Sequence, residues 1–178
     1  MPNIDDFSSL STEDLVQALS IRLYESPLNR LRETLSSRPE VFRVLTLVID
    51  FDTEVSMNGI LGFLENSSGH WLTETIEAFD IIRANETACI LRRVQAAMNR
   101  HGISSSTLRS EVNAGTQYSV VSFRELHGAK SEDMSREVTQ IAQDLYVDSP
   151  TAQEEPWSLL CKYVGPRRQQ LLDALDQA

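Results

Sequence analysis

Residues 66–70 read Asn-Ser-Ser-Gly-His, which puts two hydroxyls, a flexible joint and an imidazole within five positions. A nucleophile and its base would use those residue types. The spacing does not favour that chemistry. No Gly-x-Ser-x-Gly elbow follows a strand pattern, and His70 is a chain neighbour of Gly69, not a residue that folding must bring across a pocket. A capping or first-turn role for His70 is the better reading. Glu74 and Glu77 follow His70 at helical ligand spacing, yet no second cluster completes a metal site, so no metal is expected. The glycines at Gly59, Gly62 and Gly69 are not followed by Gly-Lys-Ser/Thr and lie in an acidic segment, so they are not a phosphate loop. No cofactor is expected.

Carboxylates carry the larger signal. The chain has 178 residues and a net charge of −10. Residues 40–82 hold eight acids against one base, and residues 131–155 hold seven against one. Residues 83–130 reverse the sign, with seven bases against three acids. On a helix, Asp133, Glu137, Asp144 and Asp148 would share one face, in a row of roughly 22 Å. Glu74, Glu77 and Asp80 would form a second, shorter ridge. Duplex DNA presents a charge every ~1.7 Å of axis, so ordered rows of this kind can imitate phosphates for a basic surface. Solvated outer faces of amphipathic helices give the same pattern. Arg83, Arg92, Arg93, Arg100, Arg109, Arg124 and Lys130 are read as bridging to the acidic blocks of the same domain or of a dimer mate. Direct nucleic-acid binding is not expected.

The elements that must hold these residues are helical. Seven glycines and six prolines are few for this length. Ser11 or Thr12 caps a helix over 11–25 that Pro27 ends, and 28–38 forms a short helix or turn. Pro39 opens a helix that is apolar on nearly every side through Phe51, the pattern of a central helix. Asn58-Gly59 bends or breaks it, and two further turns follow. Residues 70–84 and 86–100 are helices, the second capped by Asn85 and stopped at His101-Gly102. Residues 103–130 are the least regular, with a short strand or extended arm near their end. Ser131 caps a helix over 131–149. Pro156 and Pro166 start two short final helices. The expectation is an all-α single domain of seven or eight helices, with an arm at 1–38, a core at 39–149 and C-terminal helices at 150–178. Cys89 and Cys161 read as reduced thiols, and the opening residues as lacking an export signal, so a cytoplasmic protein that does not enter membranes is expected.

Glu54, Val55, Asn58, Gly59, Phe63, Asn66, Ser67, Ser68 and Gly69 mark the corner. There the chain resembles a bacterial family of helical domains catalogued as being of unknown function, whose best-known member acts as a DNA mimic. That family's run is Glu-Val-Asn-Asn-Gly-Gly-Phe, one residue, Gln, two aromatics, one residue, then Asn-Ser-Ser-Gly. Here Asn58 stands for its first glycine, Ile60 for its phenylalanine, Gly62 for its glutamine and Leu64 for its second aromatic. The resemblance implies an all-helical, dimeric, non-enzymatic protein whose acidic surface occupies the DNA-binding face of a transcriptional regulator. An immunity or antitoxin protein that neutralises a basic nuclease would use the same acidity, with an added hydrophobic anchor for selectivity. A small hydrolase or metal enzyme using His70, Glu74 and Glu54 is the remaining alternative.

Overall fold

The structure is a computed structural model that describes residues 5–108, 122–124, 128, 130–145 and 155–176. These form helices and turns, with no strand among them. The helices are α1 (Asp5–Ser8), α2 (Thr12–Arg22), α3 (Asn29–Glu33), α4 (Glu40–Glu65), α5 (Leu72–Ile81), α6 (Asn85–Arg100), α7 (Lys130–Ile141), α8 (Pro156–Val164) and α9 (Arg168–Leu175). The protein is all-α. The expected strand or arm near the end of 103–130 lies mostly outside the described residues.

Local chemistry explains most boundaries. Ser11 caps α2: its hydroxyl accepts from the Asp14 amide at 3.1 Å and donates to the Asp14 carboxylate at 2.8 Å. Pro39 precedes α4 and Pro156 opens α8, where a missing amide hydrogen costs nothing. Two expected caps are not formed. Asn85 is the first helical residue of α6, and Ala84 occupies the cap position without a side-chain bond. The reason lies upstream, where Arg83 takes φ 66°. The Arg83 amide then reaches the Asp80 carbonyl at 3.0 Å and the Ala84 amide the Phe79 carbonyl at 2.8 Å. That left-handed stop, normally given to glycine, ends α5, and Ala84 alone separates Arg83 from the start of α6. Ser131 likewise lies inside α7, because the chain turns at Gly128. The Ser131 hydroxyl and amide both donate to the Gly128 carbonyl, at 2.7 and 3.1 Å.

Helix α4 is the axis of the bundle. Every residue from Val44 to Phe51 is buried, and α5, α7, α8 and α9 pack on it. Phe51 meets Phe63 and Phe79 edge-to-face, with ring centroids 5.0 and 5.1 Å away. One buried cluster runs from Phe7 through α2 and α4 to Leu175, so the N-terminal arm and the C-terminal helices share the core.

A charged tie pins the arm. Asp50 is buried within the apolar run and takes both carboxylate oxygens to the Arg32 guanidinium at 2.8 Å. Tyr24 donates to Asp50 at 2.9 Å, and Arg32 stacks over the Tyr24 ring at 4.5 Å. Burial pushes the Asp50 carboxyl up, while Arg32 and Tyr24 pull it back. Tyr24 is held well above the usual phenol range by burial and by Asp50.

Candidate functional site

The corner in α4 is built around Gly59, whose φ 70° and ψ −178° are accessible only to glycine. Glu54, before the kink, accepts from Asn66 beyond it at 2.6 Å, and from Asn58 at 3.4 Å. The Asn66 side-chain oxygen Oδ1 accepts from the Ser67 amide at 2.7 Å, and the Ser68 hydroxyl donates to the Phe63 carbonyl at 3.5 Å. Gly69 opens a single 3₁₀ turn, Gly69–Trp71, with its α-carbon against the Leu64 backbone. A side chain at Gly62 would bring its β-carbon within 2.1 Å of the Asn58 β-carbon. Asn58 with Gly62 is therefore the mirror of the glycine and glutamine that the resembling family carries at these positions. Only one of the two places has room for a side chain. In this chain Glu54 reaches Asn66 directly, with no side chain at Gly62 between them.

The acidic ridges are partly neutralised from within. Asp80 on α5 pairs with Arg92 on α6, and Glu137 on α7 pairs with Arg100. His101 adds a contact to Glu137 at 3.0 Å. Those bonds hold the Glu137 carboxyl below its usual range. Arg136 meets Asp133 at 3.1 Å, and Arg124 lies 3.9 Å from Glu132. Arg92, Arg100 and Arg124 of the basic block thus bridge to the acidic blocks of the same chain, while Arg109 and the Lys130 side chain lie outside the described residues. Glu77 is exposed, and Glu74 is half-buried beside His70 at the start of α5.

The expected four-carboxylate row does not extend beyond α7. The α-helix ends at Ile141 and tightens into a 3₁₀ turn, Ala142–Leu145, so Asp144 leaves the face shared by Asp133 and Glu137. Asp148 lies outside the described residues.

Asp144 turns instead to a cleft of about 1110 Å³ that sequence motifs did not signal. Its floor is Val48, Phe51, Val55 and Phe79, and its walls include Ile90, Leu145 and Trp157. Among the described residues, Glu13, Asp52, Glu86, Asp144 and Glu155 line it against a single cation, Lys162. The first turns of α2, α6 and α8 meet there. Asp52 is exposed at the cleft rim, and partial loss of water around it pushes its carboxyl above the usual range. Both cysteines line the cleft, Cys89 exposed and Cys161 buried, and burial and Glu13 push the Cys161 thiol up. None of His70, Glu74 and Glu54 lines it. Among the described residues, no group of three or more His, Cys, Asp or Glu side chains is placed to hold a metal ion, and no helix is long and apolar enough to cross a membrane.

Residues 36–164 match the family described as DMP19-like protein, well over half of the chain. The chain belongs to the DMP19-like family. No curated protein and no solved structure matches it. The family match spans the kinked α4, the ion-paired α5–α7 layer and all of α8.

Proposed function

We propose that this DMP19-like chain is a non-enzymatic, cytoplasmic binding protein whose acidic surface occupies the nucleic-acid-binding face of a basic protein, with mimicry of duplex DNA toward a transcriptional regulator as the mechanism. The observation that carries this reading is the net charge of −10 on a rigid helical frame. Pairing within the chain hides individual carboxylates but cannot change that total. Asp133 and Glu137 lie about 6 Å apart along α7, a spacing that suits successive phosphate contacts. Association with a basic face would be fast and salt-sensitive. A homodimer, which would repeat the surface across a twofold axis, is part of the proposal, and sedimentation at micromolar concentration tests it.

The functional test is capture from host lysate at low salt, followed by elution along a salt gradient. A basic DNA-binding protein released at moderate salt and displaced by duplex DNA is the expected result. Glu77→Lys with Asp133→Lys should abolish retention while the helical circular dichroism is unchanged. A nuclease released only by denaturant would replace mimicry with the immunity reading. A column that retains no basic protein would overturn both.

A further inference from the structure

The cleft between α2, α4, α6 and α8 has features that surface mimicry does not require: depth, and an apolar floor. Its volume of about 1110 Å³ lies at the upper edge of the roughly 300–1,000 Å³ of small-ligand sites, which leaves room for the side chains of a bound chain segment. Phe51 and Val55 form the floor, and Ile90 and Trp157 stand at its sides, partly exposed. Apolar side chains spaced along one face of a helix fill grooves of this kind.

Charge selects the sign of the occupant. Five carboxylates and one lysine line the cleft among the described residues. The three helix N-termini that meet there carry a partial positive charge of about half a unit each. They offset part of that charge, and Glu13, Asp52 and Glu155 keep the described rim acidic. An acidic or phosphate-bearing segment would be repelled, and lysines or arginines flanking an apolar stripe would be held.

We propose that this cleft is the docking groove for a basic amphipathic helix of the partner protein, with an aliphatic or aromatic anchor seated between Phe51 and Trp157 and flanking lysines or arginines on Glu13, Asp52 and Glu155. The inference rests on the reading of the chain as an acidic binder of basic proteins, and it supplies the hydrophobic anchor that selectivity among such partners demands.

The test uses the full chain and a labelled synthetic helix of leucine and lysine at amphipathic spacing, with a scrambled peptide of the same composition and spermine as controls. Fluorescence anisotropy should show the amphipathic helix binding at least tenfold more tightly than the scramble. Glu13→Gln with Asp52→Asn should weaken it about tenfold at low salt, and Trp157→Ala by a similar factor. A second reading needs no variant: the amphipathic peptide should slow alkylation of exposed Cys89 at least fivefold, and the scramble should not. Equal binding by scramble or spermine would reduce the cleft to a charge patch and overturn the proposal. So would binding that leaves Cys89 unprotected. If a basic protein is captured from lysate, is lost on reversal of Glu77 and Asp133, yet is kept by the cleft variants, the groove fails and the functional reading stands. If the peptide protects Cys89 and no basic protein is captured, the groove stands and the functional reading fails.

Discussion

The corner at residues 54–69 and the acid-rimmed cleft share a helix but are built on opposite principles. In the corner, Asn58 before the kink and Asn66 beyond it both donate to Glu54, and Gly59 supplies the backbone geometry that brings Asn66 back to it. In the cleft, carboxylates from separate elements and, among the described residues, one lysine line a space over an apolar floor. The first arrangement satisfies its polar groups and stabilises the fold. The second concentrates like charge and keeps apolar surface within reach of water, which costs stability and is the pattern of sites kept for binding. Within α4 the signature residues alternate between the two tasks: Glu54 faces the corner, and Val55 faces the cleft.

The contrast can be broken most forcefully at Gly59. A β-branched residue cannot take φ 70° without strain, so Gly59→Val should cost about 3 kcal/mol. At this length that corresponds to a fall in Tm of roughly 6–12 °C. An unaltered melting temperature would mean that the kink is ordinary helix. Asp50 and Asp52 sharpen the comparison, because both are pushed up by burial and only Asp50 has an arginine bonded to it. Arg32→Ala should cost about 3 kcal/mol, the lower end for a buried pair, because the Arg32 side chain is 28% exposed. The sign of the pH effect follows from the raised Asp50 carboxyl. The folded variant binds a proton more readily than the unfolded chain, so its deficit against wild type should shrink as pH falls toward that raised value. Denaturant melts of both proteins at neutral pH and at pH 5 measure it.

A smaller effect is expected where two corner residues compete for one space. Gly62→Gln alone should destabilise by about 2 kcal/mol through overpacking on Asn58. Adding Asn58→Gly should recover most of that loss, giving a coupling of about 1–2 kcal/mol in a double-mutant cycle. Additive losses would remove the steric account. The smallest change is expected in the cleft. Asp52→Asn should leave Tm unchanged or slightly higher at neutral pH, since it removes a carboxylate that burial disfavours. That gain should vanish as the pH falls into the raised range of Asp52, where wild type protonates. A clear loss of stability at neutral pH would put Asp52 among the structural residues.

Much of the frame was legible because period and punctuation agreed. The apolar run through Phe51 marked the central helix, Asn58-Gly59 marked its bend, and Ser11 and Pro156 marked helix starts. The arginines of the basic block were readable as partners for the acids, and Arg92 with Asp80 and Arg100 with Glu137 are those pairs. Other features left no sequence signal. Arg83 takes a left-handed conformation that the sequence would assign to glycine, so the turn into α6 displaced the expected Asn85 cap. The 3₁₀ turn after Ile141 moved Asp144 off the row where helical periodicity had placed it. The tie of Tyr24 and Arg32 to Asp50 looked like one stray acid in an apolar run, because its partners lie 18 and 26 residues away. The cleft is assembled from residues scattered between Thr12 and Gly165 and has no local pattern to read.

The contact of Phe51 with Phe63 also bears on the order in which the molecule forms. These rings are 12 residues apart in the chain, whereas Thr12 and Trp157, on the cleft walls, are separated by 145. Loop-closure entropy grows with the logarithm of that separation, so joining the cleft walls directly costs about 2 kcal/mol more than folding α4 onto itself. The kinked helix is therefore suited to act as an early, self-contained nucleus, and the cleft closes only when the last helices arrive. A chain still emerging from synthesis would carry a formed corner and no groove, which waits for the residues of α8.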